Sequence, residues 1–251
     1  MMLDARTRYA ASAQHYQQNR PSYPPRLVDW IIDTTGCRPP ADVADIGCGT
    51  GIATRLFVVK GFRVVGIDPS DEMLAVARRE EGRARYVRAE AEATSLADAS
   101  VDIVVAAQCF HWFKLEPTLR ELGRILRPGG WCAAFWNLRA PVPVMNEYHR
   151  LVRKYSSQYH VLEQQEAAPD ALRGAGLHGW RESEFQNQQL LDRQGLLGRA
   201  YSSSCVKHGV TDRAGFEREM GELFDRRQRG GVVELQYRTV ALCWRLEPNE
   251  G

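Results

Sequence analysis

Seven consecutive residues, Asp45-Ile46-Gly47-Cys48-Gly49-Thr50-Gly51, carry the strongest chemical signal in the chain. Glycines at alternate positions let a backbone approach a ligand closely where a strand turns into a helix. The helix that follows offers free N–H groups to an anion. A glycine-rich turn alone does not choose the ligand. A dinucleotide fingerprint reads Gly-x-Gly-x-x-Gly/Ala, and counting from Gly47 its third small residue would fall at Ile52. Asp45 discriminates further: a carboxylate beside the loop repels a pyrophosphate and attracts a cofactor carrying an ammonium and a sulfonium. At about 4 Å and an effective dielectric near 20, such a pair is worth up to roughly 4 kcal/mol before desolvation. Asp68 ends the apolar run Val64-Val65-Gly66-Ile67, about one strand–helix–strand unit past the loop. A carboxylate there can accept from both hydroxyls of a ribose, at about 1.5–3 kcal/mol for each bond. NAD sites use the same device, so Asp68 indicates an adenosine without naming the cofactor.

Alternating strand and helix patterns position these residues. Val43 to Ile46, Arg63 to Ile67, Tyr86 to Arg88, Val101 to Ala106 and Trp131 to Trp136 read as strands. Between them, Thr50 to Lys60 reads as a helix with Ile52, Leu56 and Val59 on one face, and Asp71 to Arg79 as a helix with Ser70 as N-cap. Leu115, Leu119, Leu122 and Leu126 form a helical stripe ended by Pro128-Gly129-Gly130. Near-continuous apolar strands alternating with helices imply a parallel sheet covered on both faces. Before this unit, a polar and aromatic segment ends at Arg20-Pro21-Ser22-Tyr23-Pro24-Pro25, and Leu27, Val28, Ile31 and Ile32 then recur at helical spacing up to Gly36. After it, Val144 to Tyr159 reads as helical, Trp180 to Leu191 as a strand following the turn-rich Gly174 to Gly179, Phe216, Met220, Leu223 and Phe224 as a helical face, and Val232 to Leu246 as a final strand.

Composition narrows the function. With 44% hydrophobic and 25% charged residues over 251 positions, the chain is globular rather than disordered. A net charge of +2, from 33 basic and 31 acidic residues, calls for no nucleic-acid partner. The six cysteines are scattered without a Cys-x-x-Cys pair, and His149, His160 and His178 show no metal-ligand spacing, so neither a disulfide framework nor a metal site is expected. The charged N-terminus lacks the apolar run of a signal peptide, and no stretch approaches the roughly 20 apolar residues that span a bilayer. A cytoplasmic protein without membrane contact is the expectation; oligomeric state is not set by these features.

With the loop Asp45 to Gly51, Asp68 and the run Val101 to Trp112, the chain resembles the class I S-adenosylmethionine-dependent methyltransferases. Within that class it is similar to the branch of trans-aconitate methyltransferase and related small-molecule enzymes. The matching segments are Tyr16-Gln17-Gln18-Asn19-Arg20-Pro21-Ser22-Tyr23-Pro24, Ala107-Gln108-Cys109-Phe110-His111-Trp112-Phe113, Leu126-Arg127-Pro128-Gly129-Gly130, and later Tyr201-Ser202-Ser203-Ser204 and Tyr237-Arg238-Thr239. The resemblance implies that Gly47, Gly49 and Gly51 face the methionine half and ribose of S-adenosylmethionine. It implies that Asp68 holds the ribose hydroxyls, that Pro69 and Met73 flank the adenine, and that Glu90-Ala91-Glu92 stands where an acidic residue accepts from the adenine amino group. Gln108 would lie near the methionine moiety and the transferring methyl, and Tyr16 and Arg20 would close over the cofactor, Arg20 as partner for its carboxylate.

The expected architecture is α/β: a Rossmann-like doubly wound sheet of seven strands, the last antiparallel, with a helical substrate cap. Residues 1–40 form an arm and helix over the cofactor, residues 41–140 the cofactor-binding core, and residues 141–251 the cap insertion and final strands. The expected reaction is methyl transfer to a small-molecule metabolite, with an oxygen nucleophile, carboxylate or hydroxyl, favoured by the resemblance. A carboxylate or phenolate needs no base at neutral pH; for an amine or aliphatic alcohol, His111 is the candidate general base, since a histidine near pKa 6.5 suits that role. N-methylation of a heterocyclic small molecule, an NAD-dependent oxidoreductase, and a cofactor-binding protein without turnover stand as alternatives.

Overall fold

Strands that are apolar on both faces must lie inside a sheet covered on two sides. Val43, Ala44 and Ile46 of β1 (Asp42–Ile46) and Val101, Ile103, Val104, Val105 and Ala106 of β4 (Val101–Ala107) are all buried. The structure, a computed structural model, describes residues 13–175 and 177–246. β2 (Arg63–Asp68), β3 (Arg85–Arg88), β5 (Leu126–Arg139), β6 (His178–Leu191) and β7 (Val233–Arg245) complete a seven-stranded sheet in the order β3-β2-β1-β4-β5-β7-β6. Neighbours among β1 to β5 are parallel, and β7 is antiparallel to both β5 and β6. This is the α/β architecture expected from the sequence. Residues 1–12 of the expected N-terminal arm, Gly176 and the C-terminal residues 247–251 lie outside the described residues.

Helices cover both faces. α1 (Ala13–Asn19) belongs to the arm. α2 (Pro25–Thr35) begins on a proline at its first turn and ends at Gly36 in the left-handed conformation. Its Leu27, Val28 and Ile31 share a core with α3 (Ile52–Val59) and one face of the sheet. α4 (Asp71–Glu80) starts where Ser70 Oγ accepts from the Met73 N–H at 3.3 Å, the expected cap. α5 (Leu115–Ile125) packs Leu122 and Ile125 into the core of the opposite face.

Three sequence expectations shift. The buried face of α3 is Ala53, Thr54, Phe57 and Val58, whereas Val59, expected to face inward, is 73% exposed at the helix end. Leu126 is not the last residue of a leucine stripe: it pairs with Val101 as the first residue of β5, a strand that continues through Pro128-Gly129-Gly130 after a register shift. The helical stretch from Val144 to Tyr159 is α6 (Pro143–Tyr155), interrupted at Ser156, and it is followed by α7 (His160–Arg173), which the sequence pattern did not reveal.

With α8 (Arg193–Tyr201), α9 (Ser204–Gly209) and α10 (Arg213–Arg227), these helices build a further apolar core. Met145, Tyr148, Leu196, Phe216, Met220 and Leu223 pack there against Val233 and Leu235 at the start of β7. The arm is strapped to this assembly: Gln189 Nε2 donates to the Asn19 carbonyl at 3.0 Å, Asn187 Nδ2 to the Ser22 carbonyl at 2.7 Å, and Arg20 to the Ser202 carbonyl at 3.0 Å.

Candidate cofactor site

The C-terminal tips of β1, β2, β3 and β4 converge on one cavity of about 470 Å³, within the roughly 300–1,000 Å³ usual for small-ligand sites. In open α/β sheets, ligands bind at this end of the strands. Tyr16, Gly47, Gly49, Asp68, Pro69, Met73, Glu90, Ala91, Glu92 and Gln108 all stand on its wall. The sequence singled out each of these ten. It did not assign Ser70, Ala89, Ala93, Ala107, Cys109 or Lys114 to the site, though they also line the cavity. Trp112 and Phe113 add an aromatic wall.

The loop after β1 is built for close approach. Gly47 and Cys48 donate to the Ile67 carbonyl at 2.7 and 3.0 Å, pinning the loop to the tip of β2. Gly47 has φ 68°, and a Cβ there would meet Cys109 Sγ at 2.8 Å. Gly49 has φ 54°, and a Cβ there would meet no atom within 4 Å. Since Gly49 lies on the cavity wall, the room a side chain would take is left open to a ligand.

Asp68 anchors the other half. Its Oδ2 accepts from the Gly49 N–H and its Oδ1 from the Ser70 N–H, both at 2.9 Å. A carboxylate offers about four acceptor positions, so each oxygen retains capacity for a ligand hydroxyl. Burial pushes this carboxyl up to about 6, against the pull of the two backbone N–H groups and with a small further push from Glu90. An orientation fixed by two backbone donors and facing a cavity suits a ribose diol.

Gln108 follows β4 in a left-handed backbone conformation, φ 62°, uncommon outside glycine. Its N–H donates to the Phe135 carbonyl at 2.9 Å, its Nε2 to the Asn137 carbonyl at 3.4 Å, and its Oε1 accepts from Gln165 Nε2 at 2.6 Å. Beside it, the Cys109 thiol donates to the Ile46 carbonyl at 3.1 Å.

Four expected site residues stand off the cavity wall. Asp45 is fully buried behind the loop, where its Oδ2 accepts from Thr54 Oγ1 at 2.6 Å. Burial pushes its carboxyl up to about 7, and the side chain stands behind the loop rather than on the cavity wall, so it does not face a ligand directly. Gly51 packs inward, a Cβ there meeting Tyr86 Oη at 3.1 Å. Arg20 lies over the Tyr16 ring at 4.7 Å and spends an N–H on Ser202, so Tyr16 rather than Arg20 meets the cavity. His111 sits in the 3-10 turn Phe110–Trp112, its ring 4.9 Å from that of Trp112, and does not itself line the cavity. Burial, then the charge of Arg20, hold its imidazole down to about 4. It is therefore neutral and weakly basic, unlike the near-neutral titration expected of it.

Residues 44–134 match the methyltransferase-domain family. Over 131 residues the chain is 38% identical to a methyltransferase of Mycobacterium bovis, a match covering 52% of each protein, so it spans about half the length of that relative. It is 34% identical over 170 residues to the malonyl-[acyl-carrier protein] O-methyltransferase of Enterobacter lignolyticus, covering 66% of this chain and 67% of the relative. A solved type II methyltransferase structure from Anaeromyxobacter dehalogenans superposes with a TM-score of 0.67 at 26% identity, covering 90% of this chain and 95% of that one. The strand order, the loop-and-carboxylate cavity and these similarities agree: the chain belongs to the class I S-adenosylmethionine-dependent methyltransferases.

Proposed function

We propose that this enzyme transfers a methyl group to a small-molecule metabolite, with an oxygen nucleophile, carboxylate or hydroxyl, as acceptor. The observation that carries the site assignment is the paired arrangement of Gly49 and Asp68: an open glycine cradle tied by a 2.9 Å hydrogen bond to a carboxylate on the same cavity wall. In this reading Asp68 accepts from the ribose hydroxyls, Pro69 and Met73 flank the adenine, and Glu90 to Glu92 border its amino group. Gly47, Gly49, Gln108 and Tyr16 surround the methionine half. Residues 1–40 and the cap in residues 141–251 cover the core of residues 41–140 and shape the acceptor's approach.

When bound, S-adenosylmethionine supplies an electrophilic methyl on a sulfonium. The chain's part is alignment and exclusion of water. Trp112 and Phe113 wall the cavity, and Gln108 is held by three hydrogen bonds. An acceptor ionised at neutral pH needs no proton removed, which agrees with the low basicity of His111. The similarity to an O-methyltransferase supports the oxygen acceptor.

Two measurements test this. Calorimetry should show binding of S-adenosylhomocysteine and none of NADH; the reverse would overturn the cofactor site. Incubation of labelled cofactor with a metabolite extract, followed by mass spectrometry, should yield a labelled methyl ester or ether. Labelled N-methyl products instead would replace the oxygen acceptor with a nitrogen one.

A further inference from the structure

α7 joins one of the sheet cores to the core of the later helices. Val161 near its start is buried in the cap core, while Ala168 and Leu172 near its end are buried in the sheet core with Phe110. Between them, two consecutive side chains reach the catalytic end of the sheet. Glu166 pairs with Arg139 at the end of β5, and Arg139 also donates to Tyr159 Oη at 2.8 Å. Gln165 donates to Gln108 Oε1 at 2.6 Å.

The backbone of β5 fixes which way the Gln108 amide faces. Its NH₂ points to the Asn137 carbonyl, which belongs to β5 and cannot turn away. A reversed amide would set Oε1 against that carbonyl, oxygen to oxygen. The Gln165 donor on Oε1 reinforces the same orientation. Gln108 stands on the cavity wall, and of its two Nε2 hydrogens only one is taken by Asn137. The remaining hydrogen-bonding group it can offer strongly is therefore an N–H donor.

Taking the cavity as the cofactor site, as proposed above, we infer that Gln165 is a positioning residue. From the cap it holds the Gln108 amide with its N–H toward the methionine half of the cofactor, whose carboxylate oxygens can accept it. The cap helix thereby takes part in cofactor binding without touching the cofactor. It also ties that binding to the seating of α7, which Glu166 and Arg139 secure one residue away.

Calorimetry of S-adenosylhomocysteine with Gln165 variants tests this. Gln165→Lys keeps a donor for Oε1 and should bind within about twofold of the unaltered protein. Gln165→Glu presents an acceptor, favours the reversed amide, and should weaken binding about three- to tenfold, the range expected for one net hydrogen bond. In a Gln108→Ala background the difference between the two Gln165 variants should shrink, because coupled residues are non-additive and the part carried by Gln108 must vanish with it. Thermal unfolding checks the fold; should Gln165→Glu not fold, Gln165→Leu removes the donor and should lose about threefold. Equal affinity for the Lys and Glu variants, or a Lys–Glu difference undiminished in Gln108→Ala, would overturn the role of Gln165. Failure of the unaltered protein to bind S-adenosylhomocysteine would instead overturn the cofactor site.

Discussion

Asp68 is the residue on which cofactor affinity should depend most steeply. Replacing it with Asn changes one oxygen into an NH₂. In the native site the two oxygens accept from the Gly49 and Ser70 N–H groups at 2.9 Å each. An amide satisfies one of these donors and sets its NH₂ against the other. It also removes the charge that two ribose hydroxyls would share. Two hydrogen bonds to a charged acceptor at the low end of about 1.5–3 kcal/mol each come to about 3 kcal/mol, or roughly a hundredfold in affinity. Asp68→Ala removes both acceptors without the donor clash and should lose a similar factor. The pH dependence has a definite sign. The ribose hydroxyls donate to the ionised form, and burial pushes the free carboxyl up to about 6. Affinity should be full above about pH 7 and fall as pH drops through 6, by about tenfold between pH 7.5 and 5.0. Calorimetric titration of S-adenosylhomocysteine across that range reads both effects, with thermal unfolding to confirm that the variants fold. An Asn variant within threefold of the unaltered protein, or an affinity flat from pH 7.5 to 5.0, would refute the ribose contact.

Asp45→Asn should flatten the pH dependence of stability. An acid whose carboxyl is raised in the fold, from near 3.8 to about 7, makes the native state hold its proton more tightly than the unfolded chain, so stability falls as pH rises between those values. The interval corresponds to on the order of 4 kcal/mol, and melting curves at pH 5 and 8 should show the native protein losing stability that the Asn variant keeps; parallel curves would contradict the burial argument. Gly49→Ala should weaken S-adenosylhomocysteine binding at least tenfold while costing the fold about 1–2 kcal/mol for its positive φ. Gly51→Ala, whose Cβ meets Tyr86, should destabilise the fold at least as much yet leave the affinity of the folded fraction within threefold. His111→Ala should reduce turnover of the acceptor found by labelled-cofactor screening by less than tenfold, and the kcat–pH profile should lack a step near 6.5; a hundredfold loss with such a step would restore His111 as a base.

The sheet was legible because its signal is local. β1 and β4 are apolar on both faces, and the residues at their tips inherit their positions from the strand order. Gly47, Gly49, Asp68 and Gln108 therefore meet where a parallel sheet places them. Asp45 sits two residues from Gly47, yet its side chain points into the protein, and sequence distance does not report side-chain direction. The reach of Arg20 was equally hidden in the sequence: a long side chain can cross its neighbour, and here it lies over Tyr16 and ends on the Ser202 carbonyl. α7 went unread because its buried positions, Val161, Ala168, Pro169 and Leu172, are sparse among acidic and amide residues, and Pro169 falls inside the helix. Prolines normally argue against a helix interior; packing against two cores outweighs that preference here. The face of α3 shifted because the helix ends at Val59, where the next turn that would cover it does not exist.

The charge argument for the cofactor survives on other residues. Asp45 does not carry it directly: it is buried behind the loop, hydrogen-bonded to Thr54 and off the cavity wall. The cavity wall itself holds three carboxylates, Asp68, Glu90 and Glu92, against one ammonium, Lys114. A pyrophosphate would add two negative charges beside Asp68, whose carboxyl burial and Glu90 already drive upward. A ligand bearing a sulfonium and an ammonium does the opposite, offsetting with its own charge what burial costs the wall. The acidic wall thus disfavours a dinucleotide by repulsion, and the Gly-x-Gly-x-Gly loop departs from the dinucleotide fingerprint. These are independent constraints, one of charge and one of motif spacing, and they favour the same cofactor.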